Sequence, residues 1–341
     1  MRRIVLAILC ALCAVSVPAW APAWAQDKIV LKVADTLPTT HYMSIQGAKF
    51  FMARATELTK GRVQFEYYPS EQLGKGRDML KLATSGVADI TYVAPGYVSE
   101  KFPLAGVAEL PGYFASSCQG TKGFYALATH GGILDKQEYR PNGVIALMAW
   151  NLGPYQLNTH SVKLHALSDF KGLKMRGAGG TWDIILRTLG ANPVNFPAPE
   201  MREALERGTI DGTVGPAISL KPYDLLSVIH YMTRDASFGS FASTFSMNLR
   251  KFRSLPPDIQ TALDQAGREA TQHLCAYVDA NEQAAFEDAE KAGLSFWRLN
   301  AAEQAQLRDT LAPVGQEWAK ALDARHLPGT QVLNDFAAAV K

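Results

Sequence analysis

From Asp258 to Ala292 the chain contains no proline and a single glycine, Gly267, while apolar side chains recur at Ile259, Leu263, Ala266, Ala270 and Leu274. That is helical spacing, with Pro257 suited to the first turn and Gly293 to the stop. At ~1.5 Å per residue a single helix here is roughly 50 Å long, about the length of two small lobes laid end to end. Either one helix serves as a spine for both lobes, or two ordinary helices meet near Gly267.

The residues before it alternate between two patterns. Short apolar or alternating runs at Ile29–Ala34, Val63–Tyr67, Ala88–Val93 and Val144–Trp150 are separated by helical segments such as Met43–Lys60 and Lys75–Ser85. A second set follows, with strands expected near Leu173–Arg176, Pro193–Phe196, Ile210–Val214 and Ala242–Leu249 and helices near Thr181–Leu189 and Glu200–Arg207. Two sets of this kind imply an α/β fold with mixed sheets.

The N-terminus reads as an export signal. Arg2 and Arg3 precede an apolar run from Ile4 to Val17, and Ala23-Trp24-Ala25 is the small-x-small pattern cut by a signal peptidase, placing the mature start at Gln26. The run falls short of the roughly 20 residues needed to span a bilayer. Leu9 and Leu12 precede Cys10 and Cys13, which argues against a lipid anchor and for a protein free in the periplasm.

Removing residues 1–25 takes two arginines from the 34 basic residues and leaves 32 against 32 acids. A chain of balanced charge lacks the basic excess of a nucleic-acid binder and any electrostatic reason to sit on an anionic membrane. A small molecule is the better partner. The remaining 316 of 341 residues exceed what one core usually serves, so two lobes are expected. Of the four cysteines, only Cys118 and Cys275 lie outside the signal. Two buried thiols are the plain reading; a bridge requires their Cα atoms to lie within about 7 Å.

No nucleophile elbow, zinc helix, phosphate loop or dinucleotide fingerprint occurs, and the seven histidines are scattered. Neither a metal nor a cofactor is expected. The informative segment is Lys171-Gly172-Leu173-Lys174-Met175-Arg176-Gly177-Ala178-Gly179-Gly180-Thr181-Trp182. Alternation marks a short strand, and the glycines let the backbone turn and a ligand approach closely. Arg176 then stands at the carboxyl end of a strand, where ligands bind in open α/β sheets, and a guanidinium there can hold a carboxylate. Spacing alone fits a solvated strand-end charge as well.

Tyr68-Pro69-Ser70-Glu71-Gln72-Leu73-Gly74, Gly86-Val87-Ala88-Asp89, Leu110-Pro111-Gly112-Tyr113-Phe114, Lys171-Gly172-Leu173-Lys174-Met175-Arg176, Leu189-Gly190-Ala191-Asn192-Pro193 and Ile210-Asp211-Gly212 follow one another in order. This ordered set resembles the DctP-type solute-binding receptors of tripartite ATP-independent periplasmic (TRAP) transporters. The resemblance implies a two-lobed periplasmic binding protein fold with crossing hinge strands, one long helix spanning both lobes, and a ligand in the interlobe cleft. It implies a receptor and not an enzyme, with a small organic anion and the small and large membrane permease subunits as partners. A receptor serving a signalling partner is the alternative.

On that basis residues 26–149 and about 240–256 form the first lobe, and 150–239 with later returns the second. Residues 257–292 make the shared helix and 293–341 C-terminal helices, with hinges near Asn151 and Ser240. Arg176 matches the arginine that pairs with the substrate carboxylate. His41 and the Tyr92–Pro95 stretch, including Ala94, fall where the first lobe usually lines the cleft.

Three departures bear on the ligand. Tyr155 stands where many relatives carry a second arginine, and Val214-Gly215-Pro216 replaces a Glu-Asn-Pro sequence, removing a carboxylate and an amide. Aromatic residues gather at the same places: Tyr42, Tyr92, Trp150, Tyr155, Trp182, Phe196, Phe238 and Phe241, about half of them expected in the core. A second substrate carboxylate would be buried without a partner, which costs far more than an extra apolar contact gains. The expected ligand is a monocarboxylate with an apolar or aromatic body, touched by Arg176, Tyr155, Trp182, His41, Tyr92, Ala94, Trp150, Gly215 and Phe238. A charge supplied by Arg234, Arg250 or Lys221 would undo that inference.

Overall fold

The computed structural model describes residues 28–341, so the export signal, with Cys10 and Cys13, lies outside the described residues. Eleven strands occur among those residues: β1 (Ile29–Ala34), β2 (Val63–Tyr68), β3 (Ile90–Val93), β4 (Val144–Asn151), β5 (Gln156–Thr159), β6 (Lys174–Gly177), β7 (Asn192–Asn195), β8 (Gly212–Gly215), β9 (Tyr231–Arg234), β10 (Ala242–Asn248) and β11 (Ser295–Arg298). They form two sheets, ordered β2-β1-β3-β10-β4 and β11-β9-β5-β8-β6-β7. Both sheets are mixed. β1 runs parallel to β2 and β3, whereas β10 is antiparallel to β3 and β4. In the second sheet β6 is parallel to β7 and β8, and β5 is antiparallel to β8 and β9.

The chain changes sheet three times, last between β10 and β11, and the first two changes use short crossings. Between β4 and β5 it crosses through Leu152–Tyr155, and between β9 and β10 it returns through Asp235–Phe241. These crossings are the hinge. β4 is buried along its whole length, as an apolar run covered on both faces should be.

One helix runs unbroken from Pro257 to Lys291. Gly267 does not interrupt it; a Cβ there would come within 2.0 Å of the Leu147 carbonyl oxygen on β4. The glycine is a notch that lets helix and strand touch. Farther along, the Glu282 carboxylate accepts from Ala217 N at 3.3 Å and Gln283 accepts from Arg234 at 2.9 Å, both in the second lobe. The helix thus reaches both lobes.

Two expectations are corrected. Cys118 and Cys275 are not free thiols but a disulfide with Cα atoms 4.8 Å apart. The helix Ser117–Ala128 meets the long helix there, and the Asp279 carboxylate accepts from Ser117 N at 2.6 Å and Cys118 N at 3.0 Å, fixing the approach. Residues 293–341 are not wholly helical either. β11 joins the edge of the second sheet beside β9 before the helices Ala301–Asp323 and Gly329–Ala339 begin. No helix of the described residues is long and apolar enough to cross a membrane.

Candidate binding site

Arg176 lies near the end of β6, where the alternation seen in sequence has a second meaning. Lys174 reaches solvent, but Arg176 on the same face is 3% exposed because the first lobe closes over that end of the strand. The turn that follows carries Gly179 at φ 97° and Gly180 at φ 57°, backbone that L side chains rarely adopt. A Cβ on Gly179 would stand 2.8 Å from the Gly96 carbonyl oxygen of the first lobe, so the two lobes meet backbone to backbone.

The guanidinium is tied along one edge. Its Nε and Nη2 donate to the Phe196 carbonyl at 2.9 and 2.8 Å, and Nη2 also donates to the Tyr97 hydroxyl at 3.3 Å. The rings of Tyr97 and Phe196 each lie 5.9 Å from its central carbon. No ion pair holds it among the described residues.

Arg176 opens onto a cavity between the lobes. Met43, Tyr92 and Tyr97 come from the first lobe, Leu152, Tyr155 and Phe241 from the hinge, and Ala198, Met201, Val214, Gly215, Pro216, Ser219 and Tyr223 from the second. A water's centre can move through about 30 Å³ of it. The space is narrow and suits a small body. Arg176 is the one charge among the fourteen lining residues. Two roomier grooves, about 320 and 490 Å³, open outward beside the helix Ala301–Asp323 and do not contain Arg176.

The lobes touch around the cavity's rim. Tyr42 and Ser219 share a hydroxyl hydrogen bond of 3.1 Å, and the Tyr97 hydroxyl accepts from Ala198 N at 2.9 Å. Arg77 donates to the Asn195 carbonyl on one side, while the His41 ring packs at a tilt between Tyr42 and Tyr223, at 4.6 and 4.8 Å, on the other.

Of the residues singled out in sequence, Arg176, Tyr155, Tyr92 and Gly215 line the cavity. The other five stand behind its wall. Trp182 turns its indole to the hinge, donating to the Ser240 carbonyl at 2.8 Å, because the first turn of its helix packs there and not on the cleft. Trp150 stacks on Phe245 at 5.7 Å, and Phe238 meets Phe170 edge-on at 5.9 Å; both are core. Ala94 is buried, and its carbonyl accepts from Tyr97 N at 3.0 Å, which shapes the turn that presents Tyr97. His41 is buried beside the rim; burial pushes its pKa down to about 3, so it is neutral. Its Nδ1 accepts from Met43 N at 3.2 Å, and its Nε2 has no partner.

Sequence reasoning missed Tyr97, Tyr223, Met43, Met201, Ser219 and Glu109. The signal for Tyr97 was present: Pro95-Gly96-Tyr97 is a turn at the carboxyl end of β3, the same position that drew attention to Arg176. Glu109 is fully buried with neither carboxylate oxygen hydrogen-bonded, close to Gly96 and the lobe seam. Burial pushes its pKa up to about 8, although the Arg176 guanidinium favours the charged form.

Residues 34–321 match the family described as bacterial extracellular solute-binding protein, family 7 (DctP). The chain belongs to that family. It is 28% identical to the C4-dicarboxylate-binding periplasmic protein DctP of Rhodobacter capsulatus over 91% of each chain. A TRAP solute-binding protein from Rhodoferax ferrireducens T118, solved with copurified benzoate, superposes with a TM-score of 0.84 at 25% identity, covering 92% of this chain and 98% of that one. A Bordetella bronchiseptica TRAP receptor with bound (R)- and (S)-mandelate gives a TM-score of 0.82 at 25% identity over the same shares. The receptor is therefore a TRAP-type solute-binding protein with the two-lobed fold of those structures, and the cavity at Arg176 is the interlobe cleft of that fold.

Proposed function

We propose that this receptor works in the periplasm, closes its lobes on one aromatic or otherwise apolar monocarboxylate held by Arg176, and hands it to the small and large membrane subunits of a TRAP transporter. The observation that carries the reading is a buried guanidinium with no counter-ion facing a cavity that has no acidic side chain. An unpaired buried charge costs several kcal/mol, and a ligand carboxylate removes that cost.

One charge argues for one carboxylate. The three side chains that could have supplied another are engaged elsewhere. Lys221 pairs with Asp288 at 3.6 Å, Arg234 lies 4.6 Å over the Phe286 ring, and Arg250 borders a different groove. Tyr92, Tyr97, Tyr155, Tyr223 and Phe241 offer faces for an apolar body, which agrees with the benzoate and mandelate held by two relatives. The hydroxyls of Tyr155 and Tyr223 form no hydrogen bonds among the described residues, leaving a place for a ligand hydroxyl. The dicarboxylate-binding relative pulls the other way, and the single charge in the cavity lining favours one carboxylate.

A thermal-shift panel tests the reading. Benzoate, 3-hydroxybenzoate and mandelate are expected to raise the unfolding midpoint, since a ligand at 100 times its dissociation constant adds about 2.7 kcal/mol of stability. Succinate, malate and sialic acid are expected to leave it unmoved. A midpoint raised by succinate as far as by any monocarboxylate overturns the one-charge argument.

A further inference from the structure

We propose that Tyr97 is a second donor to the substrate carboxylate, so that Arg176 of one lobe holds the acid from one side and the phenol O–H of the other lobe holds it from the opposite side. This rests on the carboxylate-binding reading above and adds to it a specific partner.

The case comes from counting hydrogens. A guanidinium has five N–H donors. At Arg176 the Phe196 carbonyl takes one from Nε and one from Nη2, and the Tyr97 oxygen takes the other from Nη2. Only the two on Nη1 remain. The side-on edge, Nε with Nη2, is therefore closed to a carboxylate, and the end-on edge offers one nitrogen instead of two. Arg176 alone cannot make the paired fork that grips an acid most firmly.

The same count at Tyr97 supplies the missing donor. A phenol oxygen has two lone pairs and one hydrogen. Arg176 Nη2–H at 3.3 Å and Ala198 N–H at 2.9 Å take the lone pairs, so the hydrogen must point in a third direction. Tyr97 lines the cavity, no acceptor meets its hydrogen among the described residues, and no carboxylate side chain lines that space. An anionic oxygen of the substrate fits that donor.

Tyr97 belongs to the turn Pro95–Val98 after β3, whereas Arg176 and Ala198 belong to the second lobe. The phenol therefore reaches the acid only when the lobes are together. It governs how long the closed complex lasts more than how often encounters succeed.

The test uses the exported mature chain, the Tyr97→Phe variant, and whichever of benzoate, 3-hydroxybenzoate and mandelate the wild type binds most tightly, labelled with ¹³C at the carboxylate. Tyr97→Phe is expected to weaken binding about ten- to a hundredfold, the usual worth of a hydrogen bond to a charged group. The loss should appear in the dissociation rate, with the association rate unchanged. The infrared carboxylate stretch of the bound label should shift between wild type and variant, a signature that a merely structural tyrosine does not move. Affinity equal to wild type overturns the assignment, as does weakened binding with an unshifted stretch, which would make Tyr97 a positioning residue for Arg176. Failure of the wild type to bind any of the three acids overturns the monocarboxylate reading itself, and this inference with it.

Discussion

The hinge and the cavity wall adjoin where Tyr155 stacks 5.6 Å from Trp182, yet they treat polar groups in opposite ways. At the hinge every polar atom of Asn151 is engaged. Its side chain donates to the Ala108 carbonyl at 2.5 Å and accepts from Gly153 N at 3.2 Å and from the Ser240 hydroxyl. Its backbone exchanges hydrogen bonds with Ser117 and Thr121. On the cavity side, Arg176 has two unused hydrogens on Nη1, and Tyr155 and Tyr223 have spare hydroxyls. The first region is complete within the chain, and the second is complete only with something added. A closed polar network rigidifies, whereas an open one in a dry cavity is an affinity waiting for a ligand.

Substitutions on the two sides should therefore separate stability from binding. Arg176→Ala is expected to cost at least about 2–5 kcal/mol of carboxylate affinity, because it strands the ligand's charge, while the variant still folds cooperatively. Titration calorimetry beside a melting curve checks both, and unchanged affinity would end the contrast. Cys118→Ser with Cys275→Ser, on the hinge side, should lower unfolding stability by about 2–4 kcal/mol, read by denaturant titration, with little change in affinity measured near saturation of the fold. Asn151→Ala should cost about 1–3 kcal/mol of stability through the groups it leaves unpaired. If that variant loses affinity and keeps its stability, hinge and cavity are not distinct in the way described.

A further expected effect is one of pH. Glu109, fully buried, has its pKa pushed up to about 8, above the usual 4.5 of an exposed glutamate. Between those values the folded chain holds a proton that the unfolded chain releases, so this group's contribution to stability is greatest below pH 4.5 and is lost as pH rises to about 8. The slope is at most about 1.4 kcal/mol per pH unit. Arg176 faces the carboxyl from β6, and Glu100 and Arg325 border the groove beside it. Glu138 and Glu282 are raised by burial in the same direction, and His41 is lowered, so the readout is the difference between wild type and Glu109→Gln across pH 5–8. Parallel stability curves for the two would show that Glu109 is ionised in the folded state.

Much of this was legible in the sequence because local rules governed it. The proline-free stretch between Pro257 and Gly293 allowed one long helix or two, and the alternation stopped by glycines placed Arg176 at a strand end, its carboxylate role coming from the family resemblance. What failed depended on distant partners. β5, β9 and β11 are four residues each, too short for a period to show, and exist because neighbouring strands pair with them. Trp182 lies six residues after Arg176 but faces away, since a turn intervenes and the helix rotates it toward Ser240. Nothing in the sequence around Glu109 marks it as buried. Only the packing of Gly96 and Ala178 nearby reveals that it is enclosed. The bridge from Cys118 to Cys275 spans 157 positions, and no spacing rule reaches so far.

The notch at Gly267 and the covalent tie at Cys275 fasten the N-terminal half of the long helix to the first lobe. A rod clamped at one end must travel with whatever holds it. Any swing of one lobe against the other is then taken up at the rod's free end, where Glu282 meets Ala217 and Gln283 meets Arg234. Those two contacts are hydrogen bonds and not covalent ties, so at that end the helix is joined to the second lobe only by links that can be exchanged for water.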